Sequence, residues 1–436
     1  MAGEWKASRL RDLLVTTKDG DWGKESPEEG CIPYYIIRGT DFPDVRVGNI
    51  TAVPRRYLSK NTVQRRTLAP NDILIETAGG TRDRPTGRTL LVTEKMLSRF
   101  HGPVTCASFS RFLRVDEKQA DPRFVYWFLQ FLYQQGEMAQ HQVQHTGVAR
   151  FQYTIFAETQ DVPLPAIAEQ KRIADILGSL DDKIELNRRM NETLEAMARA
   201  LFQSWFVDFD PVRAKLDGRM PVGMDAGTAA LFPAAFQDSP LGPIPKGWRA
   251  GKLSEGFDIT MGQSPPGDTY NEEGCGLPFY QGRTDYGFRF PTRRVFCTAP
   301  TRFAKPGDTL VSVRAPVGDI NMAEEECCIG RGVAAVCHRT GATSFTYHAM
   351  ANLEPDFAKY EAEGTVFGSI NKQNFENLRF VIPPPNIVAA FERLAGPFDD
   401  QIRTLENESR TLAALRDALL PKLLSGELRA GQAESA

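Results

Sequence analysis

The chain has 436 residues, with 52 Lys+Arg against 55 Asp+Glu, a formal net charge of −3 and a hydrophobic fraction of 42%. Such a chain can bury two or three packed cores, its net charge excludes a uniformly basic nucleic-acid binder, and the lack of any run of about 18 apolar residues excludes a membrane-spanning helix. Met1-Ala2-Gly3-Glu4-Trp5-Lys6 lacks the apolar run of a signal peptide, and seven cysteines without a CxxC pair read as reduced, buried thiols of a cytoplasmic protein.

Residues 1–162 are rich in strand patterns and turn punctuation. Ile32-Pro33-Tyr34-Tyr35-Ile36-Ile37 and Asp72-Ile73-Leu74-Ile75 predict buried strands. Pro122–Leu132 predicts a buried helix with Asp121 as N-cap and Pro122 in its first turn, its aromatic stripe forming core. A long helix is expected from near Ala168. Ile173, Leu177, Leu180, Ile184, Asn187, Asn191, Leu194, Ala198, Leu201 and Trp205 alternate four and three apart, the seam of a coiled coil. Residues 207–250 predict a linker whose prolines and glycines leave little room for long elements. Met224, Leu231, Phe232, Phe236 and Trp248 in it require burial, so the linker is docked. A second module follows at about 251–382, then a second long helix. Its seam is Ala395, Phe398, Ile402, Leu405, Ser409, Leu412, Arg416, Leu419 and Leu423. Gly396-Pro397 is expected to delay its start, and Pro421 to end or kink it.

A gapless shift of 218 residues places Asp181-Asp182 on Asp399-Asp400, Leu194 on Leu412 and Leu201 on Leu419. The chain is an internal duplication of about 220 residues, too long a unit for a solenoid repeat. The expected architecture is α/β: two similar globular modules separated by two long antiparallel, coiled-coil-like helices. Asn187, Asn191 and Ser409 interrupt the seams and restrict register at a cost in stability. About 35 helical residues at ~1.5 Å each span roughly 50 Å, about fifteen base pairs at ~3.4 Å per step.

Charge is unevenly placed. From Arg38 to Arg114 there are 14 Lys+Arg and 6 Asp+Glu, and from Phe279 to Thr340 there are 9 and 6. Basic module centres in an otherwise neutral or acidic chain fit localised phosphate-binding faces. Catalytic patterns are missing: no GxGxxG or GxxxxGK[ST] loop, no Asn-Pro-Pro-aromatic core of an amino-methyltransferase, and no HExxH among five histidines. Asp72 and Glu76 pair like the carboxylates of a metal nuclease, but Thr77-Ala78 stands where a lysine would follow. His141 and His145, four apart, could share a helix face and read as a surface feature.

Two segments read as recognition loops. Glu76–Arg88 follows a buried strand; Gly79 and Gly80 let its backbone approach a ligand, and Arg82, Arg84 and Arg88 can fork onto phosphate or guanine. Ser312–Asp319, with Arg314, follows another strand. Both come after a Pro-x-Asp turn, Pro70-Asn71-Asp72 and Pro306-Gly307-Asp308, so they hold similar places in the two modules. Phosphate contacts are expected from Arg55, Arg56, Arg65, Arg66, Arg293 and Arg294. Base reading is expected from Arg82, Arg84, Gln281, Arg283 and Arg314.

These residues carry a resemblance over about 5–425. In the first module it rests on Pro70–Glu76, Gly79-Gly80 and Arg84-Pro85-Thr86-Gly87-Arg88. In the first helix and linker it rests on Pro163–Ile173, with Glu169-Gln170-Lys171-Arg172-Ile173, and on Leu201–Arg213. In the second module it rests on Met261–Pro266, Phe279–Asp285, Val313–Asp319 and Cys328–Gly332, and at the end on Leu419–Leu428. The sequence resembles the specificity subunit of Type I restriction–modification systems. That resemblance implies a target-recognition domain at 1–165, a first spacer helix at 166–207, a linker at 208–250, a second target-recognition domain at 251–383, a second spacer helix at 384–426 and a tail at 427–436. It implies a DNA-binding subunit for phage defence in the prokaryotic cytoplasm, without catalysis, metal or cofactor of its own. Each domain would read one half of a split target in double-stranded DNA. Two modification (methyltransferase) subunits carrying S-adenosylmethionine would methylate adenine, and restriction/translocase subunits would join them. One departure is that Asn386–Arg393 lacks the Glu-Gln-Lys-Arg-Ile pattern of the first helix. The alternative is a stand-alone sequence-specific DNA-binding protein without modification partners, which would bind DNA tightly by itself.

Overall fold

A computed structural model of the chain describes residues 5–81, 84–145, 148–362 and 368–433. The chain divides into two compact units: residues up to Leu186 together with those from Ser409, and Asn187–Glu408.

The first unit is built on four antiparallel strands in the order Leu14–Asp19, Ser110–Val115, Ile73–Glu76 and Thr89–Leu91. The unbroken apolar run Ile73-Leu74-Ile75 is buried on both faces, as such a run requires. A smaller sheet pairs Cys31–Ile37 antiparallel with Arg55–Ser59 and parallel with Val104–Cys106. The aromatic helix Pro122–Gln134 packs on Leu10, Leu13, Ile73 and Leu113. Asp121 caps it, its carboxylate accepting the backbone N–H groups of Arg123 at 2.9 Å and Phe124 at 3.2 Å. Lys6–Arg9 pairs with Asp161–Leu164, which closes the module where the first long helix begins.

The second unit repeats this topology. Its sheet order is Phe257–Met261, Val333–His338, Thr309–Val313 and Val317–Met322, all antiparallel. Leu277–Tyr280 runs parallel to Cys327–Ile329, and Arg249–Lys252 closes on Arg379–Ile382. The offset between equivalent strands shrinks along the chain, from 243 positions (Lys6 to Arg249) to 218 (Asp161 to Arg379). The second module is therefore the shorter one, which is why the gapless repeat is visible only in the helices.

The first long helix is Ile167–Phe202, continued by a π-helical turn, Gln203–Val207; the second is Pro385–Ser425. No residue of either predicted seam is exposed. In the first unit Ile173 and Leu177 share a core with Leu420, Leu423 and Leu424. In the second unit Leu194 packs with Ile402, and the rings of Phe202 and Phe391 are 5.8 Å apart. Within each unit the two helix segments thus run antiparallel. Asn187 meets its partner helix through Nδ2, which donates to Glu408 at 2.7 Å.

Two expectations for the second helix are corrected. Gly396-Pro397 does not delay its start, and Pro421 does not end it. An interior proline forfeits a backbone donor and crowds the preceding turn at a cost of ~3 kcal/mol or more. Here Phe391, Ala395, Ile402 and Leu405 are buried on either side of Pro397 and hold the helix together. The linker contributes two short helices, Asp210–Leu216 and Ala226–Leu231, and buries Phe209, Val212, Phe232 and Trp248 in the second unit's core. His141 ends a 3-10 turn while His145 lies in the strand Gln142–His145, so they share no helix. All seven cysteines are free thiols, and burial pushes Cys106 and Cys327 up to about 12; Cys275, against expectation, is exposed. No helix among the described residues is long and apolar enough to cross a membrane.

Candidate nucleic-acid interface

The sheet register brings four loops to one end of each module. In the second unit Met261 pairs with Ala334, Ser312 with Val333, and Val313 with Val317. Loops 262–264, 314–316 and 330–332 therefore leave the sheet together. The Gly330 N–H donates to the Tyr280 carbonyl at 2.9 Å, which brings loop 281–283 to the same end. In the first unit the corresponding loops are 20–22, 77–81 with 84–88, 107–109 and 38–40. The Pro-x-Asp turns are also equivalent. Asn71 and Gly307 both adopt positive φ, 69° and 88°. The carboxylates of Asp72 and Asp308 accept the backbone N–H groups of Ala69 and Lys305 at 2.7 and 2.8 Å. One glycine holds each cluster closed: a Cβ on Gly20 would lie 2.0 Å from the Cys106 carbonyl oxygen, and one on Gly262 2.1 Å from that of Gly330.

Arg55, Arg65, Gln281 and Arg314 are exposed, and their side chains have no partner among the described residues. Arg84 is exposed, its guanidinium 3.3 Å from the Gly79 carbonyl. Arg283 forms an exposed pair with Asp319 at 2.7 Å. Gly79 is exposed at φ 112°, and Gly80 pairs with Ala149 in a small sheet. Arg82 lies outside the described residues. Arg56 is paired with Glu25 at 2.7 Å and stacks 4.6 Å over the Trp22 ring. Arg293 is paired with Glu325 at 2.5 Å.

Three further arginines are held by carboxylates, Arg88 and Arg66 partly buried and Arg294 exposed. Arg88 forks onto the buried Glu76 carboxylate at 2.8 and 2.9 Å and donates to the Gly39 carbonyl at 2.7 Å. Glu76 is 2% exposed and requires that counter-charge, which keeps Arg88 from a ligand. Arg294 holds buried Asp285 at 2.7 Å, and Arg66 holds the Gly20 carbonyl at 2.8 Å and Asp21 at 3.1 Å. Asp72 is likewise forked by Arg114, with two bonds of 2.7 Å. The Asp72 and Glu76 pair is thus two separate arginine–carboxylate forks.

Sequence reasoning missed two members of the clusters. Arg331 is exposed on loop 330–332, its Nε 3.4 Å from the Ser264 hydroxyl. Its signal was the Gly330-Arg331-Gly332 step just before a strand. Phe109, 60% exposed, sits on loop 107–109; its carbonyl accepts the N–H groups of Thr77 at 2.8 Å and Ala78 at 3.3 Å. The ring is presented on a fixed backbone and carried no sequence signal.

Known proteins share this architecture. Residues 3–196 match the family model of the Type I restriction modification DNA specificity domain. The MjaX type I specificity subunit of Methanocaldococcus jannaschii is 25% identical over 434 residues, covering 98% of this chain and 94% of that one. The HindI specificity subunit of Haemophilus influenzae is 26% identical over 61% of this chain and 68% of its own. A solved S subunit from M. genitalium shares the fold at 16% identity, with a TM-score of 0.61 over 96% of both chains. The chain is similar to Type I restriction–modification specificity subunits over nearly its whole length.

The motif residue Gln170 of the first long helix joins helix to module. It is buried, accepts the Asp121 N–H at 2.9 Å and donates to the Pro165 carbonyl at 2.9 Å. The second helix lacks that glutamine. There Glu392 takes the N–H groups of Thr343, Ser344 and Phe345 at 3.0–3.1 Å, at the start of the helix Thr343–Asn352. A carboxylate at a helix N-terminus satisfies donors that have no partner within the helix. Each long helix thus joins its module through a different side chain, which accounts for the departing motif at Asn386–Arg393.

Proposed function

We propose that this protein is a Type I specificity subunit that reads a bipartite DNA sequence, one half with the loop cluster of each module, and directs adenine methylation and restriction by partner subunits. The observation that carries this reading is the repetition of one loop cluster on two modules that share a core topology. Arg55, Arg65 and Arg84, with Arg82, would act in the first cluster; Gln281, Arg283, Arg314 and Arg331 would act in the second. Arginine suits guanine edges and phosphates, and glutamine suits adenine. The long helices would set the unread gap. Two modification subunits would bring S-adenosylmethionine, and restriction/translocase subunits would complete the assembly in a prokaryotic cytoplasm. Affinity would fall steeply with salt, since most contacts are to phosphate.

The test is selection from a random duplex library with the subunit assembled on its neighbouring modification subunit. Two enriched blocks at a constant separation are expected. A single block, or none, overturns the reading.

A further inference from the structure

Both modules are tied to the long helices by an arginine that sequence analysis did not single out. In the second unit Arg289 is fully buried, and its guanidinium donates to Glu195 of the first helix and Asp399 of the second. It lies 3.9 Å over the Tyr347 ring, while Asp399 also accepts the Ser344 hydroxyl at 2.5 Å. In the first unit Arg46 donates to Asp181 of the first helix at 2.7 Å, and Asp181 also accepts Arg416 of the second helix at 2.7 Å. Tyr126, buried beside them, interacts electrostatically with Arg46.

Three members of each lock correspond, while Glu195 and Arg416 meet Ala413 and Ala198 at the shifted positions. Asp181 and Asp399 are 218 apart, as the helices are; Tyr126 and Tyr347 are 221 apart, as their helices at Pro122 and Thr343 are; Arg46 and Arg289 are 243 apart, as the first strands are. The same three residue types therefore occupy the same three places in both units.

The Arg289–Asp399 pair is buried and the Arg46–Asp181 pair about one-third exposed; neither kind is better for stability than well-packed apolar side chains. What such a pair adds is direction. Apolar contact between a module and a helix is non-directional and tolerates pivoting, whereas a charged fork fixes an orientation. Orientation matters to a reader of two half-sites, because each added base pair moves the second site by ~3.4 Å and turns it by roughly 35°. We propose that the Arg46–Asp181 and Arg289–Asp399 locks fix the rotation of each recognition module on its helix segments and so set how strictly the gap between half-sites is measured. This rests on the bipartite reading above.

The test uses the subunit assembled with its modification subunit and duplexes carrying the selected sequence at the native gap and at one base pair more or less. Arg46→Met leaves Asp181 paired with Arg416. The double variant Arg289→Met with Asp399→Asn removes both buried charges of the second lock. Discrimination between gaps is expected to fall up to about fivefold in the first variant and about tenfold in the second, with both footprints retained. Unchanged discrimination in the folded variants overturns the proposal, as does an equal loss of affinity at every gap. Should the double variant fail to fold, Arg46→Met decides alone. A wild-type complex indifferent to the gap would instead overturn the bipartite reading.

Discussion

Arg88→Ala and Arg314→Ala separate holding a loop from touching DNA. Arg88 supplies two hydrogen bonds to Glu76, which is 2% exposed. Removing that fork leaves a buried carboxylate uncompensated, at roughly 3–5 kcal/mol. At ~2–4 °C per kcal/mol for a unit of this size, the first unit should melt roughly 6–20 °C lower. Adding Glu76→Gln to Arg88→Met removes both charges and should recover a good part of the loss. Arg314 is exposed, so Arg314→Ala should move stability by less than about 0.5 kcal/mol. It should nevertheless weaken binding at the second half-site by ~1–3 kcal/mol. Scanning calorimetry and fluorescence anisotropy at one fixed salt concentration read the two effects separately. The reasoning is refuted if Arg88→Ala melts like wild type while losing DNA, or if Arg314→Ala binds like wild type.

Four further outcomes are expected. A Cβ on Gly178 or Gly396 meets nothing within 4 Å, so Gly178→Ala and Gly396→Ala should each add about 0.5–1 kcal/mol by thermal melting; no gain would contradict helix at those positions. Phe109→Ala should leave stability within about 0.5 kcal/mol and weaken only the first half-site, which footprinting of both half-sites would show. Burial pushes His348 down from 6.5 to about 3, and neither ring nitrogen has a partner among the described residues. Between those values the unfolded chain takes up a proton that the folded one refuses, so stability is complete above about 6.5 and falls as the pH drops through that window. His348→Phe, beside Phe202 and Phe391, should flatten that decline in pH-dependent melting. Inserting one heptad into both helices adds ~10 Å, so the selected gap should lengthen by about three base pairs; an unchanged gap means the helices are not the ruler.

The parts that were legible in the sequence were those set by period and turn chemistry. The seam from Ile173 to Trp205, the capped helix after Asp121 and the paired Pro-x-Asp turns each follow from local rules. The run through Gly396-Pro397 was misread because propensity argues for a break, while burial of Phe391, Ala395 and Ile402 overrides it. The carboxylate partners of Arg88, Arg66 and Arg294 were illegible for a related reason. An arginine's charge is written in the sequence, but whether a carboxylate already holds it depends on partners far along the chain. Arg46 and Arg289 went unnoticed because their partners Asp181 and Asp399 lie 135 and 110 residues away. Phe109 is a surface aromatic among 27 phenylalanines, and only the fold shows it beside the loop cluster.

The central claim is that one chain carries two readers of DNA. An adenine-methylation map of cells expressing it with its neighbouring modification subunit tests that claim most directly. The account predicts a split motif, methylated on both strands, with a gap that does not vary. New methylation at an undivided motif, or none from a complex shown to assemble, would contradict it.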